Sequence, residues 1–173
     1  VEVPMGLSLH SLIFDVCGGL INDKKFKAVQ MGGPSGGCIP ASMSDTAIDY
    51  QQINKTGAIM GSGGLIVMDE TTCMVATLKR LSYFFYEESC GQCTPCREGT
   101  GWVYRIIERI VDGKGKMEDL DLLTDLSNNI SGRTICALGD AAAWPIQGLI
   151  RHFRPELERR IEEHNAKFAE AAE

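Results

Sequence analysis

Histidine is scarce in this chain. The three present, His10, His152 and His164, all fall on stretches that read as helix, and none stands beside any of the seven cysteines. A nucleophilic cysteine needs a neighbouring base or cation to hold it as thiolate, so nucleophilic catalysis is not expected and no catalytic residue is assigned. No apolar run approaches the roughly 20 residues of a membrane-spanning helix. The first residues do not follow the basic, apolar, small-residue order of a secretion signal, so direct membrane insertion is not expected either. Clustered cations are also lacking: 17 Lys and Arg face 23 Asp and Glu, for a net charge of -6. Nucleic acid is therefore not an expected ligand, because phosphate neutralisation needs concentrated Lys and Arg. The glycine-rich stretches Gly32-Gly33-Pro34-Ser35-Gly36-Gly37 and Gly61-Ser62-Gly63-Gly64 show neither G-x-G-x-x-G nor G-x-x-x-x-G-K-S/T, and read as turns.

With 173 residues, 44% of them hydrophobic, the chain can bury one core or two small ones. The character of the sequence changes near residue 70. Before it, Gly, Pro and Ser punctuate short apolar runs; after it, helical periodicity dominates. In the first part, Val1-Glu2-Val3 reads as a strand end, which points to an upstream portion outside this sequence. Leu9, Leu12, Ile13 and Val16 lie at helical spacing up to Gly18-Gly19. The segment Lys25 to Met31 alternates as a half-buried strand, and Leu65-Ile66-Val67-Met68 reads as a buried one. In the second part, Thr71 or Thr72 is placed as the N-cap of a helix carrying Met74, Val75, Leu78, Leu81 and Phe85 on one face. Thr94-Pro95 starts a second helix with the stripe Val103, Ile106, Ile107, Ile110 and Val111, ended by Gly113 and Gly115. Leu120, Leu123, Leu126 and Ile130 make a third, closed by Gly132. A fourth runs from Asp140 to about Phe153, and Pro155 opens a charged tail helix with Leu157, Ile161 and Phe168 on one side. Trp102 and Trp144 read as core. The expected fold class is α+β, a small mixed unit over residues 1–70 followed by an all-α bundle over 71–173.

The chemistry concentrates in Ser89-Cys90-Gly91-Gln92-Cys93-Thr94-Pro95-Cys96-Arg97. An odd cysteine count with three thiols in one seven-residue run suits a reducing, cytosolic compartment better than a disulfide framework. The C-x-x-C-x-x-C spacing can offer three thiolates to neighbouring irons of one 4Fe-4S cubane, with Gly91 allowing close backbone approach and Pro95 leading into a helix. The bacterial-ferredoxin continuation that would supply a fourth cysteine locally is missing. Cys136, in the loop Gly132 to Asp140, is the best remaining ligand. Cys17, Cys38 and Cys73 read instead as buried small hydrophobes. Four thiolates also suit zinc, usually as two C-x-x-C pairs. The three-plus-one pattern favours the cubane, and a zinc-stapled interaction or ligand-binding module without redox activity is the alternative. Arg97 is either a charge that tunes the site or a surface residue.

The string Glu88 to Gly99, with Thr134-Ile135-Cys136-Ala137-Leu138-Gly139-Asp140-Ala141-Ala142-Ala143-Trp144-Pro145 and Gly148 to Glu156, resembles the C-terminal half of the NADH-binding flavoprotein subunit of respiratory complex I. The same module occurs in the relatives of that subunit in NAD-linked hydrogenases and formate dehydrogenases, and the first part of the chain resembles that branch more than the mitochondrial subunit. Gly32 to Pro40 and Gly57 to Asp69 resemble the family's β-grasp domain of the soluble-ligand-binding type. The resemblance implies a cluster on Cys90, Cys93, Cys96 and Cys136 that takes electrons from FMN, itself reduced by NADH. The family's FMN and NAD(H) sites lie mostly in an upstream domain absent from these residues, so this chain alone is not expected to oxidise NADH. The implied partners are that upstream domain, a thioredoxin-like 2Fe-2S subunit and a further iron–sulfur subunit. The implied location is the cytoplasm, or the cytoplasmic or matrix-side peripheral arm of a membrane complex.

Overall fold

The computed structural model describes the backbone of residues 1–170 and side chains as far as residue 163. His164 and the expected core contact of Phe168 lie outside the described side chains. The chain divides into two compact units, Val1–Thr72 and Cys73–Glu173. Mixed helix and strand in the first and, among the described residues, helix without strand in the second make the chain α+β. Among the described residues no helix is long and apolar enough to cross a membrane.

In the first unit, α1 (Leu9–Ser11) starts on Ser8, whose side chain accepts from the Ser11 amide, and continues as a wider π-turn over Leu12–Val16. Gly18 and Gly19 both hold positive φ, which glycine adopts without strain, and they turn the chain away. Three strands follow: β1 (Phe26–Met31), β2 (Cys38–Pro40) and β3 (Leu65–Asp69), antiparallel in the order β2-β1-β3. The short helix α2 (Tyr50–Lys55) is capped by Asp49. Leu9, Leu12, Val29, Met31, Ile39 and Ile53 form the core, each such burial contributing about 1.5–3 kcal/mol before conformational entropy is subtracted.

Several expectations need correction here. Val1-Glu2-Val3 belongs to no strand, since among the described residues no segment pairs with it. As the central strand, β1 is covered on both faces from Ala28 to Met31 rather than alternating. At the sheet edge, β3 leaves Ile66 and Val67 exposed rather than buried. The glycine loops turn the chain as expected and are also tightly packed: a Cβ at Gly36 would overlap the Met31 carbonyl oxygen, and one at Gly32 would lie 2.8 Å from that of Met60.

The second unit contains α3 (Met74–Glu88), α4 (Thr94–Val111), α5 (Glu118–Ile130) and α6 (Leu138–Glu170). Helix α3 packs on α4 and α6, and α5 packs on α4 and α6. The apolar periods of the sequence match the buried faces: Met74, Leu78, Ile107, Ile110, Leu120, Leu123, Ile130 and Leu149 are all fully enclosed. Helix α6 bends at Phe153 (φ -126°, ψ 18°), two residues before Pro155, as a proline that cannot donate to the helix ladder requires. The N-cap of α3 is Cys73 rather than Thr71 or Thr72. Glu156 of α6 supplies the missing acceptor, its carboxylate taking the Met74 amide at 3.0 Å, while Thr71 binds Asp69 in the preceding turn. Trp102 is 50% exposed and Trp144 partly so, so neither is enclosed in the core as expected.

Candidate metal centre

The α3–α4 connection and the start of α4 carry the cysteine triplet. Cys90 follows the last turn of α3, Cys93 is the N-cap of α4, and Cys96 lies in its first turn. Gly91 (φ +77°) makes the reversal between them. A helix start offers unsatisfied N–H groups and the positive end of the macrodipole, both favourable to thiolates. Arg97 is more than a free surface charge: its guanidinium donates to the Gly91 carbonyl at 3.0 Å and pairs with Glu98, bracing the loop that holds Cys90 and Cys93. The thiol of Cys96 is buried, that of Cys93 half-buried, and those of Cys90 and Cys136 exposed.

The fourth cysteine arrives on the turn between α5 and α6. That segment is fastened at its base by Asp140, whose Oδ1 accepts from the Ser131 hydroxyl at 2.8 Å and the Gly132 amide at 2.7 Å. Inside it, Thr134 donates to the Cys136 carbonyl at 2.8 Å. Gly139 is needed here, since a Cβ on it would collide with the Thr134 hydroxyl. The amide of Ile135 donates to Cys93 Sγ at 3.5 Å, so the segment bearing Cys136 lies against the triplet. N–H groups aimed at cysteine sulfur are the type of contact that stabilises cluster thiolates. Beside the site, Thr94, Pro95, Glu98, Trp102, Leu126 and Arg133 line an open, mostly apolar hollow of ≈ 270 Å³.

Four thiolates are the donor type of a cubane and of a zinc site alike, and among the described residues no three Cys, His, Asp or Glu side chains are gathered to hold a metal ion. The features that suit a cluster are the helix start at Cys93 and the Ile135 amide aimed at its sulfur.

The other cysteines separate by environment. Cys38 is enclosed in the first unit, and burial pushes its thiol up to about 12 against the opposing pull of Lys27. Cys17 and Cys73 are exposed rather than buried; the first follows the turn that leaves the core, and the second sits at a helix cap outside the apolar stripe. His10 packs against Phe14 with the rings tilted by 33° and their centroids 4.6 Å apart. Three groups around the centre escaped sequence reasoning: the Ser89 hydroxyl, the Ile135 amide and the Asp140 carboxylate. Only Asp140 left a signal, as an acidic residue in the first turn of a helix.

Residues 76–160 match the family described as the NADH-ubiquinone oxidoreductase-F iron-sulfur binding region. That match lies wholly within the second unit. Over 166 residues, 95% of this chain, the sequence is 49% identical to an F subunit of the NADH-quinone oxidoreductase of Rhizobium meliloti (strain 1021), covering 38% of that protein. It is 48% identical over the same share of the chain to the F subunit of the Rickettsia akari (strain Hartford) enzyme, covering 39% of it. Among solved structures, an NAD+-reducing NiFe hydrogenase in the H2-reduced state matches with a TM-score of 0.82 and 30% identity, over 95% of this chain and 27% of that one. The chain spans less than two fifths of the length of these curated relatives.

Proposed function

We propose that the second unit holds one 4Fe-4S cluster on Cys90, Cys93, Cys96 and Cys136 and serves as a one-electron relay within an NADH-oxidising complex. The observation that carries this reading is the Ile135 amide on Cys93 Sγ at 3.5 Å, which brings the segment carrying Cys136 to the triplet itself. When bound, the cluster accepts and releases single electrons without bonds being made or broken in a substrate. The chain's own residues supply four thiolates, the α4 N-terminus, the Arg97 brace and the Asp140 fastening that hold those thiolates in place.

The electrons are proposed to come from FMN, reduced by NADH in an upstream domain of the full-length subunit, and to leave toward iron–sulfur partner subunits. This rests on the 49% identity to a subunit of an NADH-quinone oxidoreductase and on the likeness to an NAD+-reducing hydrogenase. The first unit is read as a β-grasp domain of the soluble-ligand-binding type and the second as a four-helix-type bundle, in a complex with a cytoplasmic or matrix-side peripheral arm. Cysteine replacement tests the ligand set. Cys93→Ala and Cys136→Ala should each strip the cluster or convert it to one with fewer irons, whereas Cys73→Ala should leave it intact. A cubane spectrum unchanged in either of the first two removes that residue from the set.

A further inference from the structure

Ser89 ends α3 in an extended conformation, ψ 122°, and its hydroxyl oxygen lies 3.2 Å from Cys96 Sγ. The same oxygen accepts the Gly91 amide at 3.4 Å. In the free protein either the hydroxyl or the thiol can donate. Once Cys96 is a thiolate ligand it carries no proton, and the only donor left between the two atoms is the Ser89 O–H. The result is a short chain, Gly91 N–H to Ser89 Oγ–H to Cys96 Sγ, in which the first bond polarises the second. Cys96 is 7% exposed, the most enclosed of the four cysteines, so water has little access to replace this donor.

Resting on the ligand reading above, we propose that the Ser89 hydroxyl is a potential-setting donor for the cluster, distinct from the residues that ligate it. A hydrogen bond to a cluster thiolate favours the state with more negative charge, which is the reduced one, and hydrogen bonds to sulfur are among the determinants of cluster potential. Ser89 is thus a positioning residue that acts through Cys96.

The test is an EPR-monitored redox titration of the full 173-residue chain and its Ser89 variants, prepared anaerobically. Ser89→Ala should keep four irons but lower the reduced-to-oxidised ratio by up to about fivefold at a given ambient potential, the ceiling being the whole worth of one net hydrogen bond, of which only the difference between the two oxidation states counts. At 59 mV per tenfold for one electron this is a midpoint lower by at most about 40 mV. Ser89→Thr, which keeps the hydroxyl, should restore the wild-type midpoint, and Ser89→Val, which has the shape of Thr without its hydroxyl, should not. A Ser89→Ala cluster at the wild-type midpoint overturns the proposal. Loss of the cluster from both hydroxyl-free variants overturns it too, since the hydroxyl would then serve assembly rather than potential. A wild-type chain that shows no cubane signal after reconstitution with iron and sulfide refutes the ligand reading itself, an outcome separable from the other two.

Discussion

Removing the Asp140 carboxylate should loosen the segment that carries Cys136 while leaving the helices folded. The segment from Ser131 to Asp140 carries Cys136, and it is closed at its base by two hydrogen bonds to one carboxylate oxygen, at 2.8 and 2.7 Å. Hydrogen bonds to a charged group contribute about 1.5–3 kcal/mol each where water is excluded. Gly132 is exposed and Ser131 half-buried, so water can take over part of their bonding. The net loss in Asp140→Ala is then about 1–2 kcal/mol, the size of a lost helix cap. That corresponds to a roughly 5- to 30-fold greater population of the opened segment. If Cys136 is a ligand, cluster loss to an excess of iron chelator, followed by visible absorbance, should accelerate by the same factor. Asp140→Asn keeps an acceptor oxygen and should lie close to the wild type. Chelation of Asp140→Ala at the wild-type rate, with the cluster fully loaded at the start, would refute the link between this fastening and Cys136.

Gly99 of α4 faces Ile130 of α5 so closely that an added Cβ would stand 2.7 Å from Ile130 Cγ1. Gly99→Ala should therefore lower stability by about 1–2 kcal/mol, the strain of overpacking outweighing the gain in helix propensity, as read from the denaturant midpoint of tryptophan fluorescence. Burial holds the Cys38 thiol at about 12, so it stays protonated at mildly alkaline pH; iodoacetamide should modify exposed Cys17 and Cys73 but spare Cys38, with mass spectrometry of peptides as the readout. Asp69 is held well below the usual carboxylate range, first by the Lys24 ammonium at 2.7 Å and then by Thr71. A depressed folded-state value means that the contribution is complete above the unfolded value of about 3.9 and is lost as pH falls below it. Amide protection factors of β1 and β3 should thus drop between about pH 5 and pH 2 in the wild type and change less in Asp69→Asn.

The helices were legible because their signals are local. Apolar residues at three- and four-residue steps marked the buried faces of α3, α4 and α5, Pro95 marked a helix start, and Pro155 marked the bend that falls at Phe153. The strands were legible as segments but not in their burial. Whether Ile66 and Val67 are covered depends on which strand is central, and the order β2-β1-β3 is decided by long-range pairing, not by hydrophobicity. The three-residue β2 and six-residue α2 are too short to show a period. At the centre, the triplet spacing announced its chemistry. The contact that organises it, Ile135 to Cys93 over 42 positions, is a one-to-one hydrogen bond across the fold that no periodicity encodes, as is the Met74 to Glu156 bond over 82 positions that caps α3. The exposed Cys17 and Cys73 show the complementary error: small and apolar-looking residues near helix ends lie outside the core when the chain turns away from it.

The proposed iron cubane on Cys90, Cys93, Cys96 and Cys136 is open to direct measurement. Its most direct test is EPR of the anaerobically purified, dithionite-reduced chain, with iron and zinc counted in the same sample. A rhombic or axial reduced-cubane signal with about four irons per chain is the predicted result. Zinc at about one per chain, no signal, and failed reconstitution with iron and sulfide would contradict it and leave a zinc-stapled module in its place.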